Sequence, residues 1–415
     1  MNKGEKWPGL KVPIVLHGDC VQVMKEQIED QSVHAICTDP PYGINFLPSK
    51  TGGWDKQSPG IEFADQCYRV LKPGGHLIAF SANRTVHRLM GALEGAGFEI
   101  RDLLAWAYFS GFPKSMDISK AIDKELGAER EVIGENPNDR TNNDIKGAIY
   151  NFHSSQKHSS ITAPATAQAK EWHGWGTNLK PAFEVAVLCR KPISERNIAL
   201  NVLKHRCGGL NIDACRFKYH DKCWIGPKAM HKGYPNGCGG DRAFATARFD
   251  AVKSEEGNIF RTAPAHSHPI GRWPANIYQA AKPARSERDA GCSGLAAMTG
   301  ADATGRTAGS AGLKNPRAGA GRTAAEVLNH HPTVKPLKII KWMIKLITPK
   351  GGTVLDPYLG SGTTCAAAVQ LGIQSIGIEK NPDYLPIISA RIDHALEEYK
   401  RDHAQLSLLS WGGLL

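Results

Sequence analysis

Thr353-Val354-Leu355-Asp356-Pro357-Tyr358-Leu359-Gly360-Ser361-Gly362-Thr363-Thr364 reads as a short strand, a tight turn and the start of a helix. Glycine at 360 and 362 permits the turn and lets a ligand approach the backbone N–H groups at the helix start. The helix is expected over 365–371, and a following strand over 374–378 ends in Glu379. Glu379 follows Gly360 at the roughly 20-residue spacing at which an acidic side chain reaches ribose hydroxyls. Strand, Gly-x-Gly turn, helix, strand and terminal Glu in this order predict an α/β sheet with a nucleotide crevice at the C-terminal ends of its strands. The full three-glycine dinucleotide fingerprint is missing, because Thr363 and Thr364 follow the turn, and this argues against a nicotinamide cofactor.

A second turn far upstream has the same placement. The apolar run 33–37 reads as a buried strand, and Thr38-Asp39-Pro40-Pro41-Tyr42 stands at its C-terminal end. Two consecutive prolines fit neither a sheet ladder nor a helix interior, so the chain leaves the strand in a stiff, extended turn. The turn holds Asp39 and Tyr42 in fixed relation and leaves carbonyls free as acceptors. Such a site suits an amino group and a flat ring.

Around these two turns the chain alternates strand and helix. A strand over 12–16 ends at His17-Gly18-Asp19-Cys20, with Asp19 a candidate cap for a helix over 21–29. The segment 43–60 is a loop by composition, long enough for a lid. A helix over 63–71 stops at Lys72-Pro73-Gly74-Gly75, a strand follows over 76–81, and a helix over 85–96 leads to an apolar strand over 98–109. That rhythm points to a parallel sheet with helical crossovers. Residues 110–177 break it, and 184–190 return to it as a strand beside 98–109. Pro336 opens a helix with Leu337, Ile340, Ile344 and Ile347 on one face, and 384–398 form a last amphipathic helix.

The chain has 415 residues, 41% of them hydrophobic, which suffices for a large core plus a second module or insertions. It carries 51 basic against 40 acidic residues, a net charge of +11 that suits a polyanionic partner. Ten scattered cysteines fit a reducing compartment. No apolar run has the ~20 residues of a spanning helix, and 1–12 has no signal-peptide core, so a cytoplasmic protein without a membrane partner is expected. Basic residues such as Arg196, Lys204, Arg206, Arg216, Lys222 and Arg272, with Trp224 and Trp273 among them, make 193–329 the candidate nucleic-acid surface. Cys207, Cys215, Cys223 and Cys238 with His205, His220 and His231 include no Cys-x-x-Cys pair, so no metal site is expected.

Asp39-Pro40-Pro41-Tyr42 taken with the turn at 356–364 resembles the S-adenosylmethionine-dependent DNA amino-methyltransferases. The order, Asp-Pro-Pro-Tyr first and Gly-x-Gly loop near the C-terminus, is similar to the β-class, circularly permuted form common in bacteria and phages. Gly18-Asp19-Cys20, Leu71-Lys72-Pro73-Gly74-Gly75 and His331-Pro332-Thr333-Val334-Lys335-Pro336 are further matches, and the likeness covers about 12–109 and 183–391. Tyr358 stands where the family usually has Phe, so an aromatic ring is kept.

The resemblance implies a permuted, Rossmann-like α/β methyltransferase sheet carrying a large inserted target-recognition region. Its catalytic half would span 12–109, an insertion 110–182, a returning strand 183–192, the recognition region 193–329 and the cofactor half 330–400. Asp356, Pro357, Tyr358, Gly360, Ser361 and Gly362 would line the methionine and ribose of S-adenosylmethionine, with Glu379 on the ribose hydroxyls and Asp19 and Cys20 near the adenine. Thr333, Lys335 and Pro336 would close over the methionine end, with Lys335 on its carboxylate. Asp39, Pro40, Pro41 and Tyr42 would be catalytic. The implied substrate is the N6 amine of an adenine flipped from double-stranded DNA. Cytosine N4 is the first alternative, because Asp at the first motif position is shared by some N4 enzymes. Transfer to RNA or a protein amide, or an inactive DNA-binding homologue, are further alternatives. A homodimer and a cognate restriction endonuclease are compatible partners.

Overall fold

The computed structural model describes residues 10–45, 55–111, 115–135, 160–218, 221–223, 271–299 and 326–411. The tip of the expected lid loop, the stretch 224–270, and Trp224, Cys238, His220 and His231 lie outside the described residues.

Apolar runs at the expected places form the strands β1 (Ile14–His17), β2 (Val33–Thr38), β3 (Leu71–Ser81) and β4 (Glu99–Ala107). Between them lie α1 (Cys20–Gln27), α2 (Ile61–Val70) and α3 (Val86–Gly95). The order continues with α4 (Ile118–Glu125), β5 (Val132–Glu135), β6 (Ser160–Thr162), α5 (Ala167–Glu171), β7 (Phe183–Arg190) and α6 (Ile198–His205). Next come β8 (Ile277–Gln279), α7 (Arg285–Arg288), β9 (Met298–Thr299) and β10 (Glu326–Val327). The last elements are α8 (Leu337–Ile347), β11 (Thr353–Asp356), α9 (Thr363–Gln370), β12 (Gln374–Glu379) and α10 (Leu385–Trp411).

Eight strands form one sheet in the order β1-β12-β11-β2-β3-β7-β4-β8. The first and last of the described strands therefore pair, in parallel, from Ile14 opposite Ile376 to His17 opposite Glu379. The central strands are hydrophobic on both faces, as strands covered by helices on both sides must be. Alternate residues of one strand go to opposite cores. Ala35, Cys37, Ile78 and Phe80 pack with Ile339, Met343 and Ile344 of α8, whereas Ile36, Leu77 and Ala79 pack with Met24, Phe63 and Leu93 of α1, α2 and α3. Both cores meet the sheet through strands that end at the two Asp-Pro turns.

Two expectations are corrected. β7 runs antiparallel to both β3 and β4, so the sheet is mixed. Lys72-Pro73-Gly74-Gly75 is not a break between helix and strand but part of β3, where the register against β2 shifts and Gly74 takes φ +79°. The bulge absorbs the proline because it tolerates an unpaired residue, and Gly74 N–H still donates to Lys191 O at 3.0 Å. The stretch 193–329 also contributes a strand, β8, parallel to β4 at the sheet's edge.

The described residues divide into two compact units, one within Met1–Tyr108, Phe183–Ala308 and Ala325–Leu415 that carries the sheet, the other within Phe109–Ala182. In the second unit the buried Asp123 of α4 meets Arg130 at 2.6 Å and accepts from Ala165 N and Thr166 N at 3.0 Å each. A buried charge is tolerated because it is paired and hydrogen-bonded. No helix among the described residues is long and apolar enough to cross a membrane.

Candidate active site

β2 and β11 are neighbours, so their C-terminal turns lie side by side. Thr38 Oγ1 donates to Asp356 Oδ1 at 2.7 Å across that border. Asp356 also accepts from Tyr358 N at 3.1 Å, which pins the Asp-Pro-Tyr turn to its own strand. Burial pushes the Asp356 carboxyl up to about 6, against the hydrogen bonds of Thr364, Thr38 and Tyr358.

At the other turn Pro40 is buried and Pro41 half-buried. Asp39 Oδ1 accepts from Tyr42 Oη at 2.9 Å, and Oδ2 lies 2.5 Å from Lys335 Nζ. Lys335 also donates to Tyr42 Oη at 2.9 Å. Lys335 thus sits on the Asp-Pro-Pro-Tyr turn, placed there by Pro336, the N-terminal flank of α8. Its ammonium stands 4.8 Å from the ring centre of Phe80 on β3. Burial raises the Asp39 carboxyl above its ordinary range, Glu184 adds to that, and the Lys335 ammonium and Tyr42 hydroxyl oppose it. The loop beyond Tyr42 is tied at its base, with Gly43 N donating to Asp55 Oδ1 at 2.8 Å.

Sequence reasoning missed Glu184. It enters at the start of β7, where Oε2 accepts from Tyr42 Oη at 3.1 Å and lies 3.7 Å from Lys335 Nζ. Its other oxygen is 3.7 Å from Lys282 Nζ, which covers the Tyr108 ring at 4.3 Å. An available signal was an acid inside the otherwise apolar stretch Phe183–Cys189. Asp39, Glu184 and Lys335 together hold two carboxylates around one ammonium.

The glycine loop is built as its spacing suggests. Gly360 has φ +58° and Gly362 φ +81°, and a Cβ on Gly360 would stand 2.9 Å from His331 Nε2. Glu379 Oε2 accepts from Gly360 N and Oε1 from Asn381 N, each at 2.7 Å. Gly18 N donates to Glu379 O at 3.0 Å, which brings the β1 turn to the same crevice. Asp19 caps α1 through Val21 N at 3.1 Å and pairs with Lys380 at 3.1 Å. Cys20 is buried beside Tyr358, whose hydroxyl hydrogen-bonds it. Thr333 N donates to His331 Nδ1 at 3.4 Å. Ser361 faces the protein: its hydroxyl and carbonyl are both held by the buried Arg391 guanidinium, at 2.8 and 2.7 Å.

Several basic residues of the stretch 193–329 are committed internally. Lys204 pairs with Glu195 at 2.6 Å, Arg206 donates to Lys350 O at 2.7 Å, and Arg216 pairs with Asp213 at 2.8 Å while covering the exposed Trp273. Among the described residues no group of three or more His, Cys, Asp or Glu side chains could hold a metal ion.

An N6/N4 methyltransferase family model, described as DNA methylase, matches residues 33–390. The chain belongs to that family. As a DNA methylase it is similar to the Type II methyltransferase M.HindIII of Haemophilus influenzae, 22% identical over 410 residues, covering 89% of this chain and 92% of that protein. It is also similar to the Type II methyltransferase M.ScaI of Streptomyces caespitosus, 43% identical over 75 residues, 18% of this chain and 24% of that protein. Among solved structures, the PvuII DNA methyltransferase (cytosine-N4-specific) aligns over 95% of this chain and 96% of its own, with 13% identity and a TM-score of 0.43. The stretch of the DNA methylase matched by the family includes both Asp-Pro turns, Glu184, Lys335 and Glu379, and begins after Asp19 and Cys20.

Proposed function

We propose that this DNA methylase transfers a methyl group from S-adenosylmethionine to the N6 amine of an adenine flipped out of double-stranded DNA. The observation that carries the reading is the Thr38–Asp356 bond, which ties the strand that ends at Asp39 to the strand that leads into the Gly360–Gly362 loop. The residues at the loop fit the cofactor. Each Glu379 oxygen holds one backbone N–H and keeps lone pairs for ribose hydroxyls. Glycine at 360 is what the left-handed backbone and the close His331 ring require, and it keeps the loop's N–H groups at the mouth of the crevice. The excess of carboxylate over ammonium around Asp39 suits a cationic reagent.

Bound there, S-adenosylmethionine would supply an electrophilic methyl on a positively charged sulfur whose leaving group is neutral, so no general acid is needed. The chain's own work is on the amine. An exocyclic base amine is a poor nucleophile because its lone pair is delocalised into the ring. Asp39 and the Pro40 carbonyl accept its two N–H hydrogens and favour a pyramidal nitrogen with the pair localised. Tyr42, held by Asp39, Glu184 and Lys335, gives the base a fixed ring to lie against. Asp39 takes the proton released after transfer. Positioning and electrostatics supply most of the rate.

Asp19, Cys20, Asp356, Pro357, Tyr358, Gly360, Ser361, Gly362, Thr333 and Pro336 are read as the cofactor pocket, Ser361 through its backbone. The stretch 193–329 is read as the recognition region and the strand order as the permuted form of the fold. Asp at the head of the Pro-Pro-Tyr turn favours adenine. The test is to incubate the purified protein with methyl-labelled S-adenosylmethionine and duplex DNA, digest to nucleosides and identify the product. Label in N6-methyldeoxyadenosine is expected. Label in N4-methyldeoxycytidine would move the reading to the other base, and label only in RNA or protein would remove it.

A further inference from the structure

Tyr42 Oη is 2.9 Å from Asp39 Oδ1 and 3.1 Å from Glu184 Oε2, so one hydroxyl bridges two carboxylates. A phenol has a single proton to donate and accepts on the same oxygen. It can therefore take a proton from one carboxyl while passing its own to the other. The far oxygen of Glu184 lies 3.7 Å from Lys282, whose side chain is 51% exposed. A continuous path runs from Asp39, through Tyr42 and Glu184, to the surface.

We propose that Glu184 is the proton outlet of the transfer reaction, reached from Asp39 through the Tyr42 hydroxyl. The inference rests on the reading of Asp39 as the group that receives the amine proton. Transfer leaves one surplus proton on the methylated nitrogen, and Asp39 takes it as the N–H bond breaks and an O–H bond forms. The Asp39 carboxyl then gives that proton to Tyr42 Oη while Tyr42 delivers its own to Glu184 Oε2. One O–H bond forms and one breaks on Tyr42, which ends unchanged. Asp39 is again a carboxylate, and Glu184 releases the proton to water beside Lys282.

Lys335 stands beside Asp39 and Lys282 beside Glu184, so a carboxylate at either end of the relay has an ammonium near it. Burial favours the protonated form of the Asp39 carboxyl, and an Asp39 that stays protonated cannot take the amine proton of the next turnover, so it must be cleared in between. The titratable and charged groups facing Glu184 are Asp39, Tyr42, Tyr108, Lys282 and Lys335, with Asp356 facing Asp39 from the neighbouring strand.

The experiment compares the full chain with Glu184→Gln, Tyr42→Phe and the double variant, measuring multiple-turnover and single-turnover DNA methylation from pH 6 to 9, with cofactor and DNA affinity measured alongside. Gln keeps an acceptor for Tyr42 but takes no proton, and Phe keeps the ring. Each single variant is expected to lose roughly tenfold or more in multiple turnover at neutral pH, at the modest end for proton-transfer groups. The deficit should shrink as pH rises and hydroxide clears Asp39 directly. The loss should fall on multiple turnover more than on the first turnover, most clearly in Glu184→Gln, which leaves the Tyr42 hydroxyl an acceptor, and the double variant should be no worse than Tyr42→Phe alone. Glu184→Asp, which keeps a titratable group, should recover part of the loss and decides the case if Glu184→Gln does not fold. Wild-type turnover in Glu184→Gln at every pH, or an equal pH-independent loss in Gln and Asp variants with weakened binding, would overturn the outlet. Wild-type protein that methylates no DNA would instead remove the reading beneath it.

Discussion

Thr38 Oγ1 donates to Asp356 Oδ1 at 2.7 Å, joining residues 318 positions apart in the chain. One belongs to the strand that carries the Asp-Pro-Pro-Tyr turn, the other to the strand that carries the glycine loop. Both side chains are buried, so the bond has no water to replace it. Thr38→Val keeps the shape and removes the donor. It is expected to lower unfolding free energy by about 1–3 kcal/mol, the cost of a buried acceptor left short of a partner. Chemical denaturation measures this. Methyl transfer should fall with it, because the two turns lose their one direct side-chain tie among the described residues.

The two turns were legible because each is a local pattern: an apolar run, a proline or glycine break, then a helix. Pattern of that kind placed Asp39, Gly360 and Glu379 at strand ends. Glu184 was not legible, because it reaches Tyr42 from 142 residues away on a strand whose antiparallel direction no local period encodes. The Lys335 contact with Asp39 spans 296 residues and depends on how α8 packs against β2 and β3. The family resemblance implied the cofactor carboxylate as its partner, and the geometry adds Asp39 and Tyr42 to what its ammonium touches. Lys72-Pro73-Gly74-Gly75 misled for the opposite reason: its turn-forming residues are used inside a bulged strand.

Gly360→Ala puts a Cβ at a backbone φ of +58° and within 2.9 Å of His331 Nε2. The left-handed backbone alone costs roughly 1–2 kcal/mol for a residue with a side chain. The variant is expected to melt at a lower temperature and to bind S-adenosylmethionine at least about tenfold more weakly, since a shift of ~1.4 kcal/mol in the loop suffices for that factor. Isothermal titration calorimetry reads the affinity directly.

Lys335→Met removes the ammonium that pulls the Asp39 carboxyl down against burial. Asp39 takes up the amine proton only when ionised, so activity rises with pH through its titration. With the opposing charge gone, that acid limb moves to higher pH, and the deficit is largest in acid and smallest in base. A pH–rate profile of variant against wild type measures the displacement. A loss confined to cofactor affinity, with the limb unmoved, would return Lys335 to the cofactor carboxylate.

The account stands on Asp39 as the group that engages the amine at a site assembled from both ends of the chain. Asp39→Asn tests it most directly, since it keeps the size of the side chain and an oxygen for Lys335 and Tyr42. Single-turnover methylation of duplex DNA, with wild type and variant both saturated in cofactor and DNA, is expected to fall by roughly a hundredfold or more, within the range for a general base. Melting temperature and both affinities should stay near wild type. Transfer by Asp39→Asn at the wild-type rate would contradict the account.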